Sequence, residues 1–147
     1  MSKKSEQAVE KFKNGMNCSQ AVLSCCSESL GLDSETASRV ATGFGGGMRM
    51  AETCGAVTGA FMVLGLKHGN STLEDKESKA KTYEKIVEFT SRFKARNGSV
   101  KCRELLGCDI STADGEKKAR ENGLFVSICP NLVRDAAEIL EEMLEKE

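Results

Sequence analysis

Apolar residues recur along this chain at three- and four-residue spacing, and few stretches alternate strictly, a pattern that predicts helices throughout. Ala8, Val9 and Phe12 form the stripe of a first helix from Glu6 to about Lys13, which Asn14-Gly15 breaks. Asn17 is placed to cap a second helix, with Gln20 completing a capping box. That helix carries Ala21, Val22, Cys25, Cys26 and Leu30, and it stops at Gly31. Asp33 caps a short third helix to about Val40. Thr42-Gly43-Phe44-Gly45-Gly46-Gly47-Met48 follows and has the freest backbone in the sequence. A fourth helix is expected from near Glu52 to about Leu66. Its Gly55, Ala56, Gly59 and Ala60 make a small-residue face, against which another backbone can pack, within one chain or between two copies as a homo-oligomer.

Ser71 and Glu74 form an S-x-x-E box at the start of the longest expected helix. Leu73, Ala80, Tyr83, Ile86, Val87 and Phe93 lie along it, and Asn97-Gly98 ends it. Ser99 opens a short helix, Val100 to Leu106, closed by Gly107. After the polar loop Asp109 to Gly115 comes a weak helix, then Leu124-Phe125-Val126-Ser127-Ile128, a pentad that could serve as a strand but has no partner. Pro130, at a first helical position, starts the last helix, Asn131 to about Glu145. The reading is all-α, one multi-helix domain over residues 1–147 with about six to eight helices, and no repeat or linker.

Charge narrows the function. With 21 basic and 22 acidic residues the net charge is −1, which gives no electrostatic case for nucleic acid or an anionic membrane. No Trp and a single Tyr leave little for base stacking. The polar start Met1-Ser2-Lys3-Lys4-Ser5-Glu6-Gln7 leads to no apolar segment of the kind a signal peptide has. The most apolar run, Gly55 to Leu66, is well short of the roughly 20 residues of a spanning helix, so no membrane insertion is expected. The chain is read as cytoplasmic.

Seven cysteines then need a reason: Cys18, Cys25, Cys26, Cys54, Cys102, Cys108 and Cys129. An odd number with no export signal argues against a permanent disulfide framework. Position separates them. Cys18 follows the cap Asn17, and Cys54 lies in a first turn after the glycines. Cys102 comes three residues after Ser99, and Cys129 precedes Pro130. Each of these four is at an expected helix start, where unpaired N–H groups favour thiolate over thiol. Cys25, Cys26 and Cys108 read as small core hydrophobes.

Other chemistry is thinner. The glycine segment lacks the Lys-Ser/Thr of a phosphate loop and follows a helix instead of a strand, so its better reading is close passage of backbone by an accessible Cys54. His68, the lone histidine, reads as a solvated helix-end residue, and Glu52 as a first-turn dipole partner. Arg49, Lys101 and Arg103 flank Cys54 and Cys102 and either steady thiolates or face water. Met48 and Met50 read as loop packing. No C-x-x-C and no paired zinc-ligand spacing occurs. Four dispersed thiols can still converge in space, as zinc or an iron–sulfur cluster would need.

Cys54-Gly55-Ala56-Val57-Thr58-Gly59 resembles the CGAxxG motif of a family of redox-active proteins, C_GCAxxG_C_C. In order around it stand Asn17-Cys18-Ser19-Gln20-Ala21-Val22, Gly45-Gly46-Gly47-Met48, Cys102-Arg103-Glu104-Leu105-Leu106-Gly107 and Cys129, so the resemblance covers nearly the whole chain. It implies a helical fold and four family cysteines, here Cys18, Cys54, Cys102 and Cys129. It also implies kinship with a domain of split-Soret cytochromes, where an iron–sulfur centre is suspected. With no C-x-x-C-H in this chain, c-type haem is not expected.

Three functions follow. In the leading one Cys54 is the reactive thiolate and Cys18, Cys102 or Cys129 resolves it as a disulfide, serving a redox partner or a small-molecule oxidant. In the second the same four cysteines hold an iron–sulfur cluster or zinc for electron transfer. In the third the chain is a helical interaction module with buried thiols.

Overall fold

The computed structural model describes residues 3–145. Met1 and Ser2 of the polar start, and Lys146 and Glu147, lie outside the described residues. The helices are α1 Lys3–Lys13, α2 Cys18–Ser27, α3 Ser34–Ala41, α4 Gly55–His68, α5 Lys76–Asn97, α6 Cys102–Leu106, α7 Ala113–Glu121, α8 Leu124–Ser127 and α9 Cys129–Glu145. The chain is all-α. Among the described residues the nearest thing to a sheet is one antiparallel bridge, Thr53 to Lys101.

Local chemistry places most of the helix ends. The Asn17–Gln20 box forms, each side chain accepting the other residue's N–H at 2.9 Å. Asp33 accepts from Thr36 N–H at 2.9 Å. Gly31, Gly98 and Gly107 close their helices in the left-handed conformation.

The main core is built on the α2–α4 crossing. There α2 is buried almost all round, which a surface helix would not tolerate. A Cβ on Gly59 would stand 2.7 Å from the Ser19 carbonyl oxygen, and one on Gly55 would stand 3.1 Å from Cys18 Cβ. The small-residue face of α4 is therefore spent within this chain. On α9, Leu132, Val133, Ala136, Ile139, Leu140 and Met143 bury the other side of that core. From α5, Phe89 and Phe93 enter it with stacked rings 5.9 Å apart. A smaller cluster joins Ala51, Cys102, Leu106, Ile110, Ala119 and Cys129, and Phe12, Cys18 and Ile128 pack against both clusters. Cys18 thus lies at the seam between two cores, with Cys54 in one and Cys102 and Cys129 in the other.

Four boundaries differ from the sequence expectation. The α4 helix starts at Gly55, three residues later than expected, because the chain before it turns left-handed. Gly46, Gly47, Met48 and Arg49 have φ of 61°, 62°, 60° and 61°, and the Glu52 N–H donates to the Gly47 carbonyl at 3.1 Å. The α5 helix is capped by Asp75, which accepts from Ser78 N–H at 3.1 Å, so the Ser71 box does not start it. A carboxylate at the cap adds charge to the interaction with the helix dipole. The α6 helix waits until Cys102 because Lys101 is held extended by the bridge to Thr53. Leu124 to Ile128 forms a helical turn, with Ile128 N–H returning to the Leu124 carbonyl at 2.9 Å. Among the described residues no helix is long and apolar enough to cross a membrane.

Candidate functional site

Each of the four singled-out cysteines stands at a helix start: Cys18 opens α2, Cys54 is the N-cap of α4, Cys102 opens α6 and Cys129 opens α9. Three local devices bring these starts together. The first is the α2 cap. Asn17 Nδ2 donates to the Thr42 carbonyl at 3.0 Å, and Gln20 Nε2 donates to Thr42 Oγ1 at 3.0 Å, so the start of α2 is tied to the end of α3. Gly45 then passes over Asn17 so closely that a Cβ there would stand 2.6 Å from Asn17 Cγ.

The second device is the bridge. Cys54 N–H donates to the Val100 carbonyl at 2.7 Å, and Cys102 N–H donates to the Glu52 carbonyl at 2.6 Å. Two segments nearly fifty residues apart are thereby locked side by side. The third is Arg103, which donates from Nε to the Ala51 carbonyl at 3.1 Å and from Nη2 to the Met50 carbonyl at 3.3 Å, and pairs with Glu52. Arg103 and Glu52 hold the loop through each other, and the Arg103 charge also favours the Cys102 thiolate. Gly47 completes the fit: a Cβ there would meet Glu52 N at 2.5 Å and Cys102 Cβ at 3.0 Å. The glycines do permit close passage, but past Asn17 and Cys102. Cys54 is only 5% exposed.

All four cysteines line one cavity of about 930 Å³. Every pair among the four is linked through the ionisation of at least one member, so they form a single electrostatic group. Cys129 is the largest influence on the Cys18 thiol, and Cys18 the largest on Cys129. That neighbour and burial push Cys18 well up. The Cys18 thiol holds Cys129 below the ordinary thiol value, with help from its own backbone N–H. Burial pushes Cys54 up to about 12 despite N–H donors from Ala56 and Val57. Burial and the neighbouring Cys129 push Cys102 up to about 11. The expected activation of Cys54 by its helix start is thus outweighed by desolvation.

The remaining candidates fall elsewhere. His68 sits in the last turn of α4 and is not part of the cavity wall. Cys25 and Cys26 lie within the main core, and Cys108 is half-buried beside the smaller cluster. Arg49 does reach the cavity, where it pairs with Glu116 at 3.3 Å. Sequence reasoning missed Phe12, Lys13, Glu116, Arg120 and Phe125, which also line it. They come from α1, α7 and α8, and no local motif marks them.

As a donor set, four thiols around one cavity suit a soft metal centre. In their present positions no three His, Cys, Asp or Glu among the described residues are grouped to hold a metal ion. Cys18, Cys54, Cys102 and Cys129 would have to draw inward to ligate one.

Fold and site together define a helical domain with four cysteines gathered at helix starts. The chain belongs to the family described as "Putative redox-active protein (C_GCAxxG_C_C)", whose model matches residues 16–143. The family label writes GCA where this chain has Cys54-Gly55-Ala56, the first two residues in the other order. No curated protein and no solved structure matches the chain.

Proposed function

We propose that this protein is a cytoplasmic thiol–disulfide redox protein in which Cys129 is the attacking thiolate and Cys18 the thiol that resolves it. The observation that carries this reading is that Cys18 and Cys129, brought from the starts of two separate helices, line one cavity that Cys54 and Cys102 also line. Family membership supports redox chemistry in general. The lead role passes from Cys54 to Cys129 because a thiol held at about 12 is almost entirely protonated near neutrality, whereas Cys129 is held low.

In the forward step the Cys129 thiolate attacks one sulfur of a substrate disulfide, forming a mixed disulfide and expelling the other sulfur as thiolate. The Cys18 proton passes to that leaving group. Cys18 sulfur then attacks Cys129 Sγ, forming the Cys18–Cys129 disulfide and releasing the second thiolate. Two protein thiols are oxidised and one substrate disulfide is reduced to two thiols. A dithiol reductant reverses the protein's oxidation. Stopped-flow reaction of the reduced protein with a disulfide tests the assignment. Cys129→Ser should slow the first step far more than Cys54→Ser, and the reverse order would return the lead role to Cys54.

A second reading has its own support, because each of the four sulfurs lies within electrostatic reach of the other three. In it Cys18, Cys54, Cys102 and Cys129 hold an iron–sulfur cluster or zinc, which would supply electron transfer or structural closure. Anaerobic, iron-replete preparation followed by iron, zinc and acid-labile sulfide analysis decides it. Stoichiometric metal supports this reading, and metal-free protein removes it.

A further inference from the structure

The cavity that the sulfurs line also carries residues of two kinds. Phe12 and Phe125 are apolar, and Lys13 from the end of α1, Arg49 from the left-handed turn and Arg120 from α7 are cationic. The Arg120 guanidinium lies over the Phe125 ring, 5.8 Å from its centroid. Among the described residues Glu116 is the single carboxylate in the lining. Its oxygens are divided, Oε2 accepting from Arg49 Nη2 at 3.3 Å and Oε1 from Arg120 Nη2 at 2.9 Å. One carboxylate therefore aligns two guanidiniums without neutralising both. Their side chains remain 67% and 70% exposed, with most of their N–H donors unused by Glu116. Arg49 is also held in a left-handed conformation at φ 61°, which a non-glycine residue keeps only where its surroundings impose it.

Two aligned forks, two phenylalanines and a thiol pair on one cavity make a composite recognition surface. Guanidinium pairs with carboxylate in a planar, two-point geometry, and phenylalanine faces accept a flat or apolar body. We propose that the cavity takes a small organic disulfide with an aromatic or apolar body and a carboxylate. Its anionic group lies on Arg49 and Arg120, its body lies on Phe12 and Phe125, and its sulfur–sulfur bond is presented to Cys129. This inference rests on the thiol-redox reading above and adds to it a substrate class. The electron balance is unchanged: Cys18 and Cys129 lose two electrons to the bound disulfide, which leaves as two carboxylate-bearing thiols.

The test compares two aromatic disulfides on the reduced full-length protein: anionic 5,5′-dithiobis(2-nitrobenzoate) and neutral 2,2′-dithiodipyridine. Each rate is divided by the rate of the same reagent with free N-acetylcysteine, which removes intrinsic reactivity. The normalised preference for the anion should be about tenfold at low salt. It should shrink as ionic strength rises from about 0.01 M to about 0.15 M. Arg49→Gln and Arg120→Gln should each lower it. The salt dependence needs no substitution, so the inference stays testable if a variant misfolds. If both reagents react but the preference matches that of free thiol at every salt concentration, the substrate class is overturned and the redox reading stands. If the folded, reduced protein consumes neither, the redox reading itself fails.

Discussion

Two pairs of neighbouring thiols lie within this chain, one on α2 and one between the starts of α2 and α9. In the first, Cys25 and Cys26 have sulfurs 3.5 Å apart, and Cys25 Sγ lies 3.1 Å from the Val22 carbonyl oxygen. In each pair one thiol is raised and the other lowered by its neighbour, Cys25 against Cys26 and Cys18 against Cys129. The electrostatics of the two pairs therefore match, and their settings do not. Cys25 and Cys26 lie inside the main core and form no part of the cavity wall, whereas Cys129, itself only 7% exposed, is part of it. Being consecutive, their Cα atoms stand about 3.8 Å apart, closer than the roughly 4.4–6.8 Å a disulfide usually spans. Cys18 and Cys129 come from separate helices and face a cavity. A lowered thiol becomes chemistry only where a reagent can reach it and a second sulfur can move to close on it.

The largest effect that separates the pairs is in reactivity. Cys129→Ser should lower the second-order rate with a small disulfide on the order of a hundredfold, because the thiols left facing the cavity are mostly protonated near neutral pH. Cys25→Ser should change that rate by less than about twofold. Equal losses in the two variants would erase the distinction.

Next in size is a disturbance of the core that seals the silent pair. Gly59→Val places a side chain where even a Cβ is 2.7 Å from the Ser19 carbonyl oxygen. It should destabilise the fold by about 1–3 kcal/mol or more. Denaturant melts measure that loss, and thiol labelling with mass mapping should show Cys25 and Cys26 becoming reactive. A variant as stable as the parent would mean that α2 and α4 are not packed this tightly.

The pH dependence is smaller but has a definite sign. Cys54 and Cys102 are raised to about 12 and about 11, so their contribution to stability is present below the unfolded thiol value of about 8.5 and lost as pH climbs from there to those values. Cys129 is depressed, so its contribution is present above about 8.5 and fades as pH falls through its folded value. Alkylation of the reduced protein across pH should therefore label Cys129 ahead of Cys102 and Cys54. Labelling of Cys54 ahead of Cys129 contradicts the assignment. The smallest effect concerns the turn beside the site. Met48→Gly removes a side chain from φ 60° and should stabilise by about 1 kcal/mol. A fall in melting temperature would show that the methionine side chain contributes more than its backbone strain removes.

Much of the Cys18–Cys129 pair could be read from the sequence, and the reason is local. Asn17 with Gln20 marks the start of α2, Pro130 marks that of α9, and a cysteine adjoins each. Helix starts are written in short-range chemistry, so all four cysteines could be placed at them before any packing was known. What could not be read depends on long-range contacts. Burial decides that Cys54 is protonated, and burial follows from α2 and the Val100–Cys102 segment lying across it. The left-handed turn at Met48-Arg49 runs against the preference of both residues and is held by Gly47, Glu52 and Arg103. Arg120 and Phe125 meet Lys13 and Phe12 only because α7, α8 and α1 converge on one cavity. In the same way Ser71 lost to Asp75 as the α5 cap, a competition that two adequate caps four residues apart leave open.

The most direct test is to titrate the fully reduced, native protein with less than one equivalent of a small disulfide, quench with acid and map disulfides by mass spectrometry. The account predicts one dominant crosslink, Cys18 to Cys129, with Cys25 and Cys26 recovered as free thiols. A dominant crosslink that omits Cys129, or none while the reagent is consumed, would contradict it.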